Sequence, residues 1–135
     1  MDEAKCRALK AELIAQPEPI VVPISRFFDG NDDLGSIGCN LDPHPGINIF
    51  QKVLTGLIGR TDIQAVYAQI SESDPGEGCW PFTDTILVVG NISANLLREE
   101  VSDLEPSEVG AAEEVSLSPT IAERFGSPVA AIWWD

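Results

Sequence analysis

The residues best suited to chemistry gather between Arg26 and Gly46, where RFFDGNDDLGSIGCNLDPHPG holds four carboxylates, two asparagines, the only histidine and one of three cysteines within twenty-one residues. Asp29, Asn31 and Asp33 alternate like the oxygen ligands that open a calcium loop, because a hard cation collects several oxygens from flexible backbone. The rest of the loop departs from that pattern. Its sixth position is Leu34 where glycine is required, and its twelfth is Asn40 where a bidentate glutamate is required. The competing reading is a folded turn, with Gly30, Asn31 and Gly35 in left-handed backbone and the Asp29 and Asp33 carboxylates accepting from nearby amides.

Nitrogen and sulfur ligands are sparser. His44 completes a candidate metal set with Asp29, Asn31 and Asp33, while Cys39 and His44, with Cys79, have the atom types for zinc or for a thiol nucleophile and its base. A single histidine leaves such a scheme without an alternative base, and the cysteines form no CxxC pair. None of GxGxxG, GxxxxGK[ST], GxSxG or HExxH occurs. No catalytic residue and no cofactor is therefore assigned, and the reading leans away from an enzyme.

Two other patches concern binding. In WPFTD, Trp80 and Phe82 precede an apolar run; they are core by default, and exposed they would serve as interface anchors. Further on, Glu99 to Glu123 carries eight acids and no base. Such a run is ordinarily a solvated face. Its sharper reading is a docking surface for a basic protein, built on Glu99, Glu100, Asp103, Glu105 and Glu108.

Charge over the whole chain agrees with that reading. Twenty-two acids against eight Lys and Arg give a formal net charge of −14, which repels a nucleic-acid backbone or an anionic membrane. No run approaches the apolar length of a membrane span, and MDEAKCRALK lacks the apolar segment of a secretory signal. A cytoplasmic location with reduced thiols is expected.

The elements that must position these residues are readable in outline. At 135 residues, 44% of them hydrophobic, one folded domain over 1–135 is expected. Residues 2–16 form a helix with Cys6, Leu9 and Leu13 on one face, ended by Pro17 and Pro19. Ile20 to Phe28 reads as an edge or bulged strand because Pro23 removes a donor. A second helix begins near Pro45, shows Ile47, Phe50, Val53, Leu54, Leu57 and Ile58 on one face and stops at Gly59. Ile63–Ile70 and Thr83–Gly90 are strands with neither face polar, joined as a hairpin. Ser93 caps a third helix that Pro106 ends. A short acidic helix is expected around Ser107 to Val115, then irregular chain. The closing strand from Val129 puts Trp133 and Trp134 on opposite faces.

After the first helix the order is strand, helix, strand, strand, helix, strand. The expected fold is therefore α+β, a ferredoxin-like βαββαβ antiparallel sheet with an extra N-terminal helix and an acidic loop insertion. The N-terminal helix or a partner chain is expected to cover the second sheet face, and the terminal strand, placed at a sheet edge, offers a route to a homodimer.

The blocks FFDGNDDLGSIGCNL, HPG, WPFTDT and WWD together resemble a family of small acidic bacterial proteins of uncharacterised function, over roughly residues 20–135. That resemblance implies a bacterial cytosolic origin and carries no activity. The function expected is a non-enzymatic acidic protein-binding module, inhibitor or immunity-like. The alternative is a metal-binding enzyme or sensor using loop 29–44.

Overall fold

The computed structural model describes residues 1–112, 117–119, 121 and 128–135. Helix α1 spans Glu3–Ile14, and Asp2 caps it by accepting from the Lys5 amide at 3.0 Å. Its Cys6, Leu9 and Leu13 are buried, so the narrow stripe read from the sequence is the packed face.

The expected strand over 20–28 is mostly something else. Only Val21–Pro23 forms strand β1, and Ile24–Phe28 turns into helix α2. Proline explains the switch: Pro23 has no amide to continue a ladder, and its φ of −56° already suits a helix start. Beyond it Ile24, Phe27 and Phe28 are all buried, an i, i+3, i+4 set that helical packing explains better than strand alternation does. Helix α3, Ile47–Ile58, follows the acidic loop and buries Ile47, Phe50, Leu54 and Leu57.

The hairpin forms as expected from β2, Ile63–Glu72, and β3, Phe82–Gly90. Gly90 has a φ of 156°, and a β-carbon there would run into the Asp62 carbonyl, so only glycine lets the two strands close at that end. Helix α4, Ala94–Glu100, is capped by Ser93 accepting from the Leu96 amide at 3.2 Å. A 3₁₀ turn at Ser102–Leu104 follows it. Where a short acidic helix was expected, Glu108–Ala111 is strand β4; residues 113–115 of that expectation lie outside the described residues. The closing strand β5 is Val129–Trp133.

All pairings between these five strands are antiparallel, in the order β1-β2-β3-β5-β4. The class is α+β, with a five-stranded antiparallel sheet and four α-helices among the described residues. The ferredoxin-like strand order is not adopted. A split βαβ unit would hold another strand between β1 and β2, whereas here they pair directly. The β5 strand is also internal, between β3 and β4, so it is no edge for dimerisation. At the true edges, β1 is three residues long and ends in Pro23, and the Val109 carbonyl of β4 accepts from Arg98 Nη2 at 3.1 Å. Both devices discourage strand addition.

Both sheet faces are covered. The four helices and the larger core lie on one face, α1 included, so α1 does not supply the second cover. Ala112, Leu117 and Ile121 do, packing over Val21, Tyr67, Leu87, Val89 and Ala131. The two terminal tryptophans divide as expected: Trp134 joins the helix-side core and Trp133 packs on the other face.

Trp134 fixes the end of β5 twice, through Nε1 donating to the Leu104 carbonyl at 2.8 Å and through an edge contact with Phe50 at 5.5 Å. Trp134→Phe keeps the ring and leaves that buried carbonyl without its donor, which costs about 1–3 kcal/mol, whereas Trp134→Ala should cost about 3–5 kcal/mol. Urea denaturation of both variants checks the order. Equal losses would mean that the hydrogen bond, and not the ring packing, holds this end.

Candidate functional site

The acidic loop folds on itself before it can offer ligands. Asp33 Oδ1 accepts from the Gly35 amide at 2.9 Å and Oδ2 from the Trp80 amide at 3.0 Å, while its carbonyl takes the Ser36 hydroxyl at 2.7 Å. Asn31 is buried, donating to Ser36 Oγ at 2.9 Å and accepting from the Asp33 amide at 2.9 Å. Asp29 pairs with Lys5 at 2.6 Å, and that hydrogen bond raises the lysine pKa. The Gly46 amide donates to His44 Nδ1 at 2.9 Å, so the ring proton sits on Nε2 and faces the Ile37 carbonyl at 2.8 Å.

The four metal candidates Asp29, Asn31, Asp33 and His44 are thus each engaged in structural hydrogen bonds or an ion pair. Among the described residues no group of three or more His, Cys, Asp or Glu stands together as a metal would need. The turn reading fits the loop better, with one change: Gly30, Gly38 and Gly46 take positive φ, and neither Asn31 nor Gly35 does. Gly38 is the tightest of these, since a β-carbon on it would lie 2.8 Å from the Phe50 ring.

Trp80 is fully buried, so its ring is core and not a surface anchor. Its amide donates to Asp33 Oδ2, and among the described residues its indole N–H has no partner. Phe82 is half-exposed. It lines a cleft of about 200 Å³ where, beside Ser71 of β2, three further stretches of sequence meet. Gly35 to Asn40 comes from the acidic loop, Phe82 to Asp84 from the WPFTD stretch, and Trp134 and Asp135 from the final strand's end.

Backbone and side-chain bonds join the three. Ile37 pairs with Thr83 in a parallel bridge, the Trp134 amide donates to the Asp84 carbonyl at 3.0 Å, and Asn40 Nδ2 donates to the Asp135 carbonyl at 2.6 Å. The charged side chains lining this cleft are Asp84 and Asp135, with the exposed Cys39 thiol beside them. Sequence reasoning named Cys39 and Phe82 as candidates and gave no binding role to Asn40 or to Asp84 of the WPFTD stretch. The signal available was the repeated density of short polar and aromatic residues in three blocks. Their meeting point was not readable, because Asp33 and Trp80 are 47 positions apart.

The surface continues acidic past the cleft. The Asp135 amide donates to Ser107 Oγ at 2.9 Å, which brings the cleft beside the α4–β4 connection. There Glu99, Glu100, Asp103, Glu105 and Glu108 are all exposed. Arg60 binds Glu100 at 3.2 Å and Asp62 at 2.9 Å, which lowers the Asp62 carboxyl below its ordinary range. Among the described residues the other four carboxylates make no ion pair.

The three cysteines are free and differ in access. Burial raises the Cys6 thiol pKa, and its sulfur contacts the Cys79 carbonyl at 3.5 Å. A thiol reagent at pH 8 should therefore modify Cys39 first and Cys6 only on unfolding. Mass mapping of the labelled sites reads this directly; early labelling of Cys6 would show that α1 opens in the native protein. Asp33→Ala should cost about 2–4 kcal/mol, because it strands two amides. Calcium, magnesium, manganese or zinc should leave the wild-type melting temperature unchanged; a rise lost in Asp33→Ala would restore the metal reading.

Residues 4–127 match the model of the uncharacterized protein YfbO family. Neither the search of curated proteins nor the search of solved structures gave a match.

Proposed function

The chain belongs to the YfbO family, whose function is uncharacterised, and from its geometry we propose that it is a non-enzymatic acidic module that binds a basic protein. Its most concrete form is an inhibitor or immunity-type protein that caps a basic toxin or enzyme in the bacterial cytoplasm. The observation that carries the reading is the run of exposed acid without an ion pair among the described residues, from Asp84 and Asp135 in the cleft to Asp103 and Glu105 on the α4–β4 connection.

Size supports a macromolecular occupant. The cleft, at about 200 Å³, is smaller than the roughly 300–1,000 Å³ of a small-molecule site, and it suits one side chain of a larger partner. Charge placement supports it too. Lys5, Lys10, Arg26 and Arg60 are engaged with Asp29, Asp74, Glu12 and Asp62, so much of the positive charge is neutralised locally. The carboxylates around α4 are left to act outward, where they raise the encounter rate with a cation-rich surface.

The test is partner identification by cross-linking in the host, followed by association kinetics at several salt concentrations. Replacing Glu99, Asp103 and Glu105 with their amides should slow association about tenfold or more at low salt and flatten its salt dependence. Glu100→Gln alone should change it less, because Arg60 already holds that carboxylate. An unchanged rate in the triple variant would refute the acidic-docking reading.

A further inference from the structure

The second face of the sheet carries a feature separate from the cleft. Register aligns Gln69, Thr85, Trp133 and Glu108 in one row across β2, β3, β5 and β4, so their side chains share a face. Next along the sheet the row is Tyr67, Leu87, Ala131 and Gly110, and beside the Trp133 ring Leu87, Ala111, Ala112 and Ala131 line a trough, with Glu108 just outside that lining, across from Trp133. Leu117 closes the trough from above, and its volume is about 210 Å³.

We propose that this trough receives an arginine or lysine side chain of the basic partner, laid against Trp133 with its charged end at Glu108. The proposal rests on the basic-partner reading and adds to it a residue-level subsite on another surface.

Three observations carry it. Trp133 is half-exposed, unlike Trp80 and Trp134, so part of its indole is open to a ligand. Glu108 is its cross-strand neighbour and is exposed. Directly opposed residues hold their β-carbons about 5 Å apart, so a cation within about 6 Å of the ring also reaches the carboxylate. The apolar floor of Leu87 and Ala131 suits the methylene stem of a long basic side chain, and Gln69 and Thr85 at the rim offer it hydrogen-bond acceptors. A purely apolar ligand would leave Glu108 unused, and an acidic one would be repelled by it.

The experiment is an NMR titration of the full chain with acetyl-triarginine amide, using acetyl-tricitrulline amide as the neutral isostere. The triarginine peptide should shift the Trp133 indole N–H resonance and the citrulline peptide should not. Glu108→Gln, a change at an exposed position, should weaken the response at least fivefold, and Trp133→Phe should weaken binding while the remaining spectrum shows a folded chain. Shifts confined to Asp84 and Cys39 would overturn the trough subsite while leaving a basic partner possible at the cleft. Equal shifts with citrulline would overturn it as well, by removing the charge requirement. Absence of any shift would overturn the subsite, and the cross-linking experiment would then decide the basic-partner reading independently.

Discussion

The Asp33 carboxylate is the constraint on which the candidate site depends. One oxygen closes the local turn at Gly35 and the other holds the Trp80 amide. A chain folded only by local preference would leave the loop as a solvated string of acids, because each carboxylate is better hydrated than buried. Two charge-assisted bonds offset that cost at a half-buried position. They bring the acidic loop against the start of β3, and the bridge from Ile37 to Thr83 extends the attachment. Phe50 completes the support from below, touching His44 and Trp134 at ring separations of 5.2 and 5.5 Å. The cleft is thus a consequence of how a metal-like set of residues satisfies itself.

The sheet imposes the second constraint. Because β2 and β3 are apolar on both sides, neither face tolerates water, and the chain must return to cover the face opposite its helices. Ala112, Leu117 and Ile121 lie on that face, and β4 and β5, which precede and follow them in sequence, pair within the sheet. Alternation along β5 gives one tryptophan to each face. The helix-side ring is sealed by Leu104 and Phe50, and the other is left at the rim of a shallow trough.

What was legible in the sequence follows from the range of the interactions. The stripe of Cys6, Leu9 and Leu13, the Ser93 cap and the hairpin strands are set by neighbours a few residues away, and they form where periodicity places them. Ile24 to Phe28 was misread as strand because valine, isoleucine and phenylalanine outweighed the spacing of the buried residues. Glu108 to Ala111 was misread as helix because its pairing partner is β5, across a stretch with no local signal. The loop's ligand-like residues were legible by type, and their hydrogen-bond partners were not: composition records which atoms are present, and only tertiary contact records which are already used.

Charge ties fold and function together. A chain with 22 acids and 8 Lys and Arg repels itself when compact, and that repulsion is part of what folding must overcome. The ion pairs on α1 relieve it at one end, where Lys5 and Lys10 meet Asp29 and Asp74. Around α4, among the described residues, Arg60 is the one cation that forms an ion pair, with Glu100, and Glu99, Asp103 and Glu105 remain exposed. On the proposed function, a cationic surface bound to the folded domain would lower that repulsion. Binding energy is then also folding energy, and the acidic surface that weakens the isolated domain is the same surface that would strengthen it in a complex.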